Sequence, residues 1–182
     1  MNKMYGVDVP NVTFKTRVRD ESIGGDNPFR WQDLTTRDMF NNKRVVVFSL
    51  PGAFTPTCST YQLPGFEASA LEFAKAGIDE IYCVSVNDSF VMNKWAQTAV
   101  DGGLKNVKVI PDGSGSFTEK MGMLVDKDNL GFGKRSWRYA MVVDTGVIEY
   151  FVEEPGRENN CESDPYGETD SKAILAYLND KT

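Results

Sequence analysis

Apolar residues in this chain fall into short unbroken runs separated by polar, glycine-rich stretches. "RVVVFSL" (44–50) and "EIYCVSV" (80–86) are continuous runs rich in β-branched residues, the pattern of strands buried on both faces of a parallel sheet. "VKVI" (107–110) predicts a short third strand of the same kind, and "VPNVTFKTRV" (9–18) alternates enough to predict an early strand. "RYAMVVDTGVIEYFV" (138–152) reads as a hairpin that turns at Asp144-Thr145-Gly146. Helical spacing follows Cys58, where Leu63, Phe66, Ala70 and Phe73 share a side and Gly77 supplies the stop. Pro64 lacks a backbone donor and predicts a kink inside that helix. A second helix, "SFVMNKWAQTAV", takes Asp88 or Ser89 as its cap and is closed by Gly102-Gly103. "SGSFTEKMGM" predicts a short helix with a serine cap. "DSKAILAYLND" (170–180) predicts a last helix with Ile174, Leu175 and Leu178 toward the core. The stretch "RDESIGGDNPFRWQDLTTRDMFNNK" reads as a long loop ending in a short helix near Asp38–Phe40.

Strand, helix, strand, helix, strand, hairpin and final helix is an α/β order. No repeat, low-complexity tract or linker divides it, so residues 1–182 are expected to form a single domain. The order places Cys58 at the C-terminal edge of a central strand and in the first turn of the next helix, where open α/β sheets carry their sites.

Composition narrows the chemistry. The formal net charge of −6, with 26 acidic and 20 basic residues, argues against nucleic acid or an anionic membrane as the main partner. No apolar run approaches the roughly 20 residues of a membrane helix. The opening "MNKMYGVDVPNVTF" lacks the apolar core of a signal peptide, so a cytoplasmic protein is expected. There is no histidine and no CxxC pair, which removes most zinc and haem arrangements, and no resident cofactor is expected. The three cysteines, Cys58, Cys83 and Cys161, are too few and too odd for a disulfide framework. Each is either a small buried apolar residue or a reactive thiol.

Cys58 sits in "SLPGAFTPTCSTYQLPGF", and without histidine its activation must be electrostatic. Unpaired N–H groups and the positive end of the dipole at a helix start both stabilise a thiolate, and arginine is the natural cation to add. Thr55 offers a hydroxyl that donates or accepts, while Pro51 and Pro56 stiffen the loop and favour a shielded pocket. Such a site suits a substrate with two oxygens, one attacked and one leaving, which describes a peroxide.

Pro51, Thr55 and Cys58 in "PGAFTPTC", with "IYCVSVNDSFVMNKWA", "PDGSGSFTEKMGM" and "SWRYAMVVD", resemble the atypical, type-five branch of the peroxiredoxins, a branch with bacterial members sometimes fused to a glutaredoxin. The resemblance runs from about residue 4 to residue 178. It implies a thioredoxin-like fold, with a central mixed sheet flanked by helices and an N-terminal extension. It also implies peroxide reduction through a sulfenic acid on Cys58 and a likeness to homodimeric relatives. By the same resemblance Arg138 is the cation beside the thiolate, Pro51 screens the site from water, and Thr55 bonds both thiolate and peroxide. Many members carry a histidine where this chain has Gln62, outside the catalytic set. No glutaredoxin-like CxxC domain follows, so such a partner is expected to be a separate protein.

Cys83, inside an apolar strand, is expected to be structural. Cys161, in the polar loop "PGRENNCESDPYG", either resolves the sulfenic acid or is simply an exposed loop thiol. Phe54, Trp95, Phe132 and Trp137 are core residues by default, some of them candidates for the pocket mouth. A one-cysteine cycle recycled by glutathione and glutaredoxin is the leading expectation, against a Cys58–Cys161 cycle recycled by thioredoxin. A peroxide-sensing relay or a chaperone role stands as the reading from another class.

Overall fold

The structure is a computed structural model that describes residues 4–180. Its first strands, β1 (Thr13–Arg19) and β2 (Phe29–Thr35), pair antiparallel with Arg17 opposite Trp31. The sequence reading of a long loop across β2 is therefore wrong. Most side chains of β2 are exposed, so it carries no alternation to betray it, and it exists because β1 supplies a ladder. Helix α1 (Thr36–Phe40) starts at a reciprocal cap between Thr35 and Asp38.

The main sheet is mixed and has five strands, in the spatial order β5 (Val107–Pro111), β4 (Glu80–Ser85), β3 (Arg44–Ser49), β8 (Tyr139–Asp144) and β9 (Val147–Glu153). The central β3 runs parallel to β4, which runs parallel to β5. On the other side β3 pairs antiparallel with β8, and β8 with β9. The hairpin turns where expected, with Thr145 at φ 48° and Gly146 at φ 84°, the positive pair that matches strand twist. A small antiparallel ribbon of β6 (Leu124–Asp126) and β7 (Lys134–Ser136), unread in the sequence, leads into β8.

Period-two alternation sends β3 side chains into two cores. Val45 and Val47 join Phe14, Phe40, Phe117 and Tyr139 on one face. Val46 and Phe48 join Phe66, Phe73, Trp95 and Ile174 on the other. Phe48, Phe66 and Phe73 stack in sequence, with ring centroids 4.0 and 5.6 Å apart.

The helix after Cys58 differs from expectation. Residues Cys58–Gln62 form a wide π turn in which the Leu63 N–H donates to the Cys58 carbonyl. Helix α2 (Leu63–Ala68) follows directly, with Pro64 in its first turn. Ser69, at φ −96° and ψ 8°, breaks the run before α3 (Ala70–Lys75). The irregularity thus precedes the proline, with a second break that no breaker residue announced.

Helix α4 (Ser89–Thr98) takes Asp88, not Ser89, as its cap, the carboxylate accepting from Val91 N at 2.9 Å. Helix α5 (Ser116–Lys120) has no serine cap. Gly115 precedes it at φ 72°, a turn that serine adopts poorly, and Asp112 instead accepts from Phe117 N and Thr118 N at 3.2 and 2.8 Å. Helix α6 (Ser171–Asn179) is capped by Asp170 and buries Ile174 and Leu178, with Leu175 partly covered.

Glu67 ties α2 to the start of β5. Its carboxylate accepts from Lys105 N and Asn106 N at 2.7 Å each and from Val107 N at 3.3 Å. Burial alone would raise its pKa, but these donors outweigh burial and hold it below the ordinary value. A depressed folded-state pKa stabilises above the unfolded value, about 4.3, and that stability is lost as pH falls through the folded value. Thermal melts should therefore show Glu67→Gln less stable than wild type at pH 7, with the gap closing toward pH 3.

Candidate active site

Three strand ends converge at the site. After β3, the chain turns through Leu50–Thr57 before the π turn begins at Cys58. The turn is stitched locally, with the Thr55 hydroxyl donating to Gly52 O at 2.7 Å and Ser59 N to Thr55 O at 3.0 Å. The Ala53 N–H reaches Asn87 Oδ1 at 3.0 Å, joining the C-terminal ends of β3 and β4. Phe54 holds φ 66° and is half exposed, a strained position for a residue with a side chain. Cys58 itself is fully buried.

Strand pairing brings the cation. Ser49, the last residue of β3, lies opposite Tyr139, the first of β8, so Arg138 arrives beside the turn that β3 feeds. Its Nη1 lies 3.5 Å from Cys58 Sγ, and the guanidinium is only 2% exposed. The same Nη1 donates to Gln62 Oε1, Nη2 donates to Asp164 Oδ1 at 2.5 Å, and Nε donates to Pro165 O at 3.2 Å. Tyr166 stacks its ring 5.5 Å from the guanidinium carbon. Burial opposes the charge on Arg138, yet Cys58 and Asp164 more than offset it and raise the arginine above its ordinary value.

A second cation, absent from the sequence reading, stands at the rim. Arg135 donates from Nη1 to Pro51 O at 3.1 Å and from Nε to Phe132 O at 3.3 Å. Burial lowers its proton affinity, and charge on Cys58 works against that lowering. A Cβ on Gly52 would come within 2.2 Å of Arg135 Nη1, so the glycine admits this brace. Gln62 is also more than a bystander. It is fully buried, it accepts from Arg138, and its Nε2 lies 3.5 Å from Thr169 Oγ1. The sequence signal for Arg135 is its position three residues before Arg138; Gln62, which the resemblance sets outside the catalytic group, lies four residues, about one turn, after Cys58.

Cys58 and Arg138 thus meet, with Pro51 and Thr55 in the turn just before the cysteine, but Cys161 does not join them. It packs in the core on the opposite face of the sheet from Cys58, 7% exposed, with Sγ 3.4 Å from Ser163 Oγ. The description of Cys161 as an exposed loop thiol is corrected: Asn159 and Asn160 tie its loop to the β6 region and press it inward. Cys83 is fully buried on the Cys58 side, where burial pushes its thiol well up, charge on Cys58 adds to this, and Arg138 partly opposes it. Trp95 and Trp137 are core residues, while Phe54 and the half-buried Phe132 lie nearer solvent.

A thiol at the end of a central α/β strand, met by a permanent cation, places the chain among thioredoxin-like redox proteins. The family model described as Redoxin matches residues 26–166. A peroxiredoxin of Rhizobium etli is 65% identical over 170 residues, covering 93% of both chains. A hybrid peroxiredoxin of Haemophilus influenzae is 51% identical over 178 residues, 98% of this chain and 67% of that one. The crystal structure of the Plasmodium falciparum antioxidant protein (1-Cys peroxiredoxin) superposes with a TM-score of 0.87 at 36% identity, covering 96% of this chain and 99% of that one. The chain belongs to the peroxiredoxin family, thiol peroxidases that reduce peroxides at the expense of a thiol reductant.

Proposed function

We propose that this peroxiredoxin reduces hydrogen peroxide and organic hydroperoxides through Cys58 in a one-cysteine cycle, with glutathione and glutaredoxin as reductant. The observation that carries the reading is the buried contact between Arg138 Nη1 and Cys58 Sγ. In the first step the Cys58 thiolate attacks the near oxygen of the peroxide. The S–O bond forms as the O–O bond breaks, and the leaving oxygen takes a proton to become water or an alcohol. Sulfur is oxidised by two electrons to a sulfenic acid, and the peroxide is reduced by the same two. Arg138 stabilises the thiolate and then the charge developing on the oxygens. The Thr55 hydroxyl, donating to Gly52 O, keeps lone pairs to accept a hydrogen bond from the peroxide O–H. Pro51 shields the sulfur and takes part in the Arg135 brace.

A glutathione thiolate then attacks the sulfenic sulfur: the S–S bond forms as the S–O bond breaks, and the departing hydroxide takes a proton to leave as water; glutaredoxin or a second glutathione reduces the mixed disulfide. Two observations favour this over a Cys58–Cys161 bridge. A disulfide needs Cα atoms within about 7 Å, and Cys161 would first have to leave the opposite core. The similar Plasmodium protein is itself described as a 1-Cys peroxiredoxin. We place the cycle in the cytoplasm, in a homodimer. Mass spectrometry after one equivalent of peroxide checks it: sulfenic or sulfinic Cys58 without added thiol, a glutathione adduct with it. A dominant Cys58–Cys161 disulfide, with thioredoxin-supported turnover lost in Cys161→Ser, would replace this cycle by the two-cysteine one. A single turnover regardless of reductant would instead mark a sensor.

A further inference from the structure

We propose that Asp164 is a positioning residue for the peroxidase reaction, acting on Cys58 only through Arg138. The inference rests on the reading of Cys58 and Arg138 given above. Asp164, Pro165 and Tyr166 are consecutive, and between them they occupy Nη2, Nε and one face of the guanidinium. That leaves Nη1 as the nitrogen turned to Cys58 and Gln62, so this tripeptide decides which edge of the fork meets the sulfur.

The tripeptide is held at both ends. Before it, Cys161 is packed into the opposite core, with its carbonyl accepting from Asn129 Nδ2 at 3.4 Å. After it, the buried Glu154 carboxylate accepts from Gly167 N at 2.8 Å and from Thr169 Oγ1 at 2.9 Å. Glu154 also accepts from Glu168 N, at 2.9 and 3.0 Å from its two oxygens. The segment therefore spans from one face of the sheet to the other around the start of β8, anchored on each side.

Charge alone does not explain Asp164. A carboxylate 2.5 Å from Nη2 draws the arginine's field away from the thiolate, which is the wrong direction for activating sulfur. Asp164 is also half exposed, so it is not there merely to neutralise a sealed-in cation. What it supplies is an acceptor at a fixed place, and misplacement of an activating group by an ångström lowers rate far more than binding.

Two variants separate acceptor from charge. Asp164→Asn keeps a carbonyl acceptor and removes the charge, and Asp164→Ala removes both. The rate of Cys58 with hydrogen peroxide is compared with its rate of alkylation by iodoacetamide, which needs the thiolate but not the arginine's orientation toward oxygen. The expected result is about a tenfold loss of peroxide rate in Asp164→Ala, with alkylation changed less than threefold and Asp164→Asn within threefold of wild type on both. Asp164→Glu should recover part of the alanine loss. The proposal is overturned if the alanine variant reacts with peroxide at the wild-type rate. It is equally overturned if asparagine falls with alanine, or if peroxide and alkylation rates fall in parallel with the melting temperature. A wild-type protein no faster with peroxide than free cysteine would defeat the underlying peroxidase reading instead, and so is distinguishable.

Discussion

Cys58→Ser should remove peroxide reduction completely, while Cys83→Ser retains nearly all of it. Both sulfurs are fully buried in the same core, so exposure does not separate them. Position does. Cys58 opens a helical turn and has Arg138 Nη1 at 3.5 Å, whereas Cys83 lies mid-strand and opposite Phe48 and Val109 in its ladders. A serine hydroxyl at position 58 cannot ionise near neutral pH, and it cannot form the sulfenic acid. At position 83, burial already drives the thiol well above its ordinary value, so it stays protonated and unreactive. Its replacement by serine buries a hydroxyl in an apolar strand and should cost about 1–3 kcal/mol of stability without a comparable cost in turnover. Stopped-flow peroxide consumption and thermal melts on the two variants measure both halves. Appreciable turnover by Cys58→Ser would transfer the chemistry to another group.

Arg138→Ala should slow the reaction of Cys58 with peroxide by about 10²-fold or more, the usual effect of deleting one preorganised donor at developing negative charge. The deletion is severe because the guanidinium makes contacts on both edges, to Cys58, Gln62, Asp164 and Pro165. Arg138→Lys should recover only part of the rate. An ammonium offers the charge, but it lacks the planar fork that reaches the sulfur and Asp164 at once. The measurement is the second-order rate constant with hydrogen peroxide, compared with wild type at equal folded fraction. An alanine variant that keeps the wild-type rate would shift the activating role to Arg135, the other cation that feels the charge on Cys58.

Buried parallel strands were the most legible part of this chain, because "RVVVFSL" and "EIYCVSV" have no polar face to confuse the pattern. They alone place Cys58 at a strand end and a helix start. The hairpin was legible too, since Asp144-Thr145-Gly146 interrupts two apolar runs at the right distance. Strand β2 was not, because most of its side chains are exposed and its order comes from β1. Arg138 was legible only by resemblance. Nothing local in "SWRYAMVV" distinguishes it from a surface arginine until Ser49 pairs with Tyr139. Asp164 and Tyr166 lie in a segment with no periodicity, and their meeting with Arg138 depends on bonds that span 32 residues, from Asn129 to Cys161, and 13 residues, from Gly167 to Glu154. Such contacts are products of tertiary structure and leave no one-dimensional trace.

Gln62 puts a neutral amide against Arg138, and the chain has no histidine anywhere. Histidine is the side chain that ordinarily changes charge between pH 5 and 8, whereas glutamine has no proton to exchange in that range. Tyr166, the aromatic partner of the arginine, is pushed up to about 12 by burial. Acidification thus finds no imidazole at position 62 to protonate. When acid and oxidant arrive together, the neighbour that position 62 gives the arginine keeps its charge state, because an amide stays neutral throughout that range.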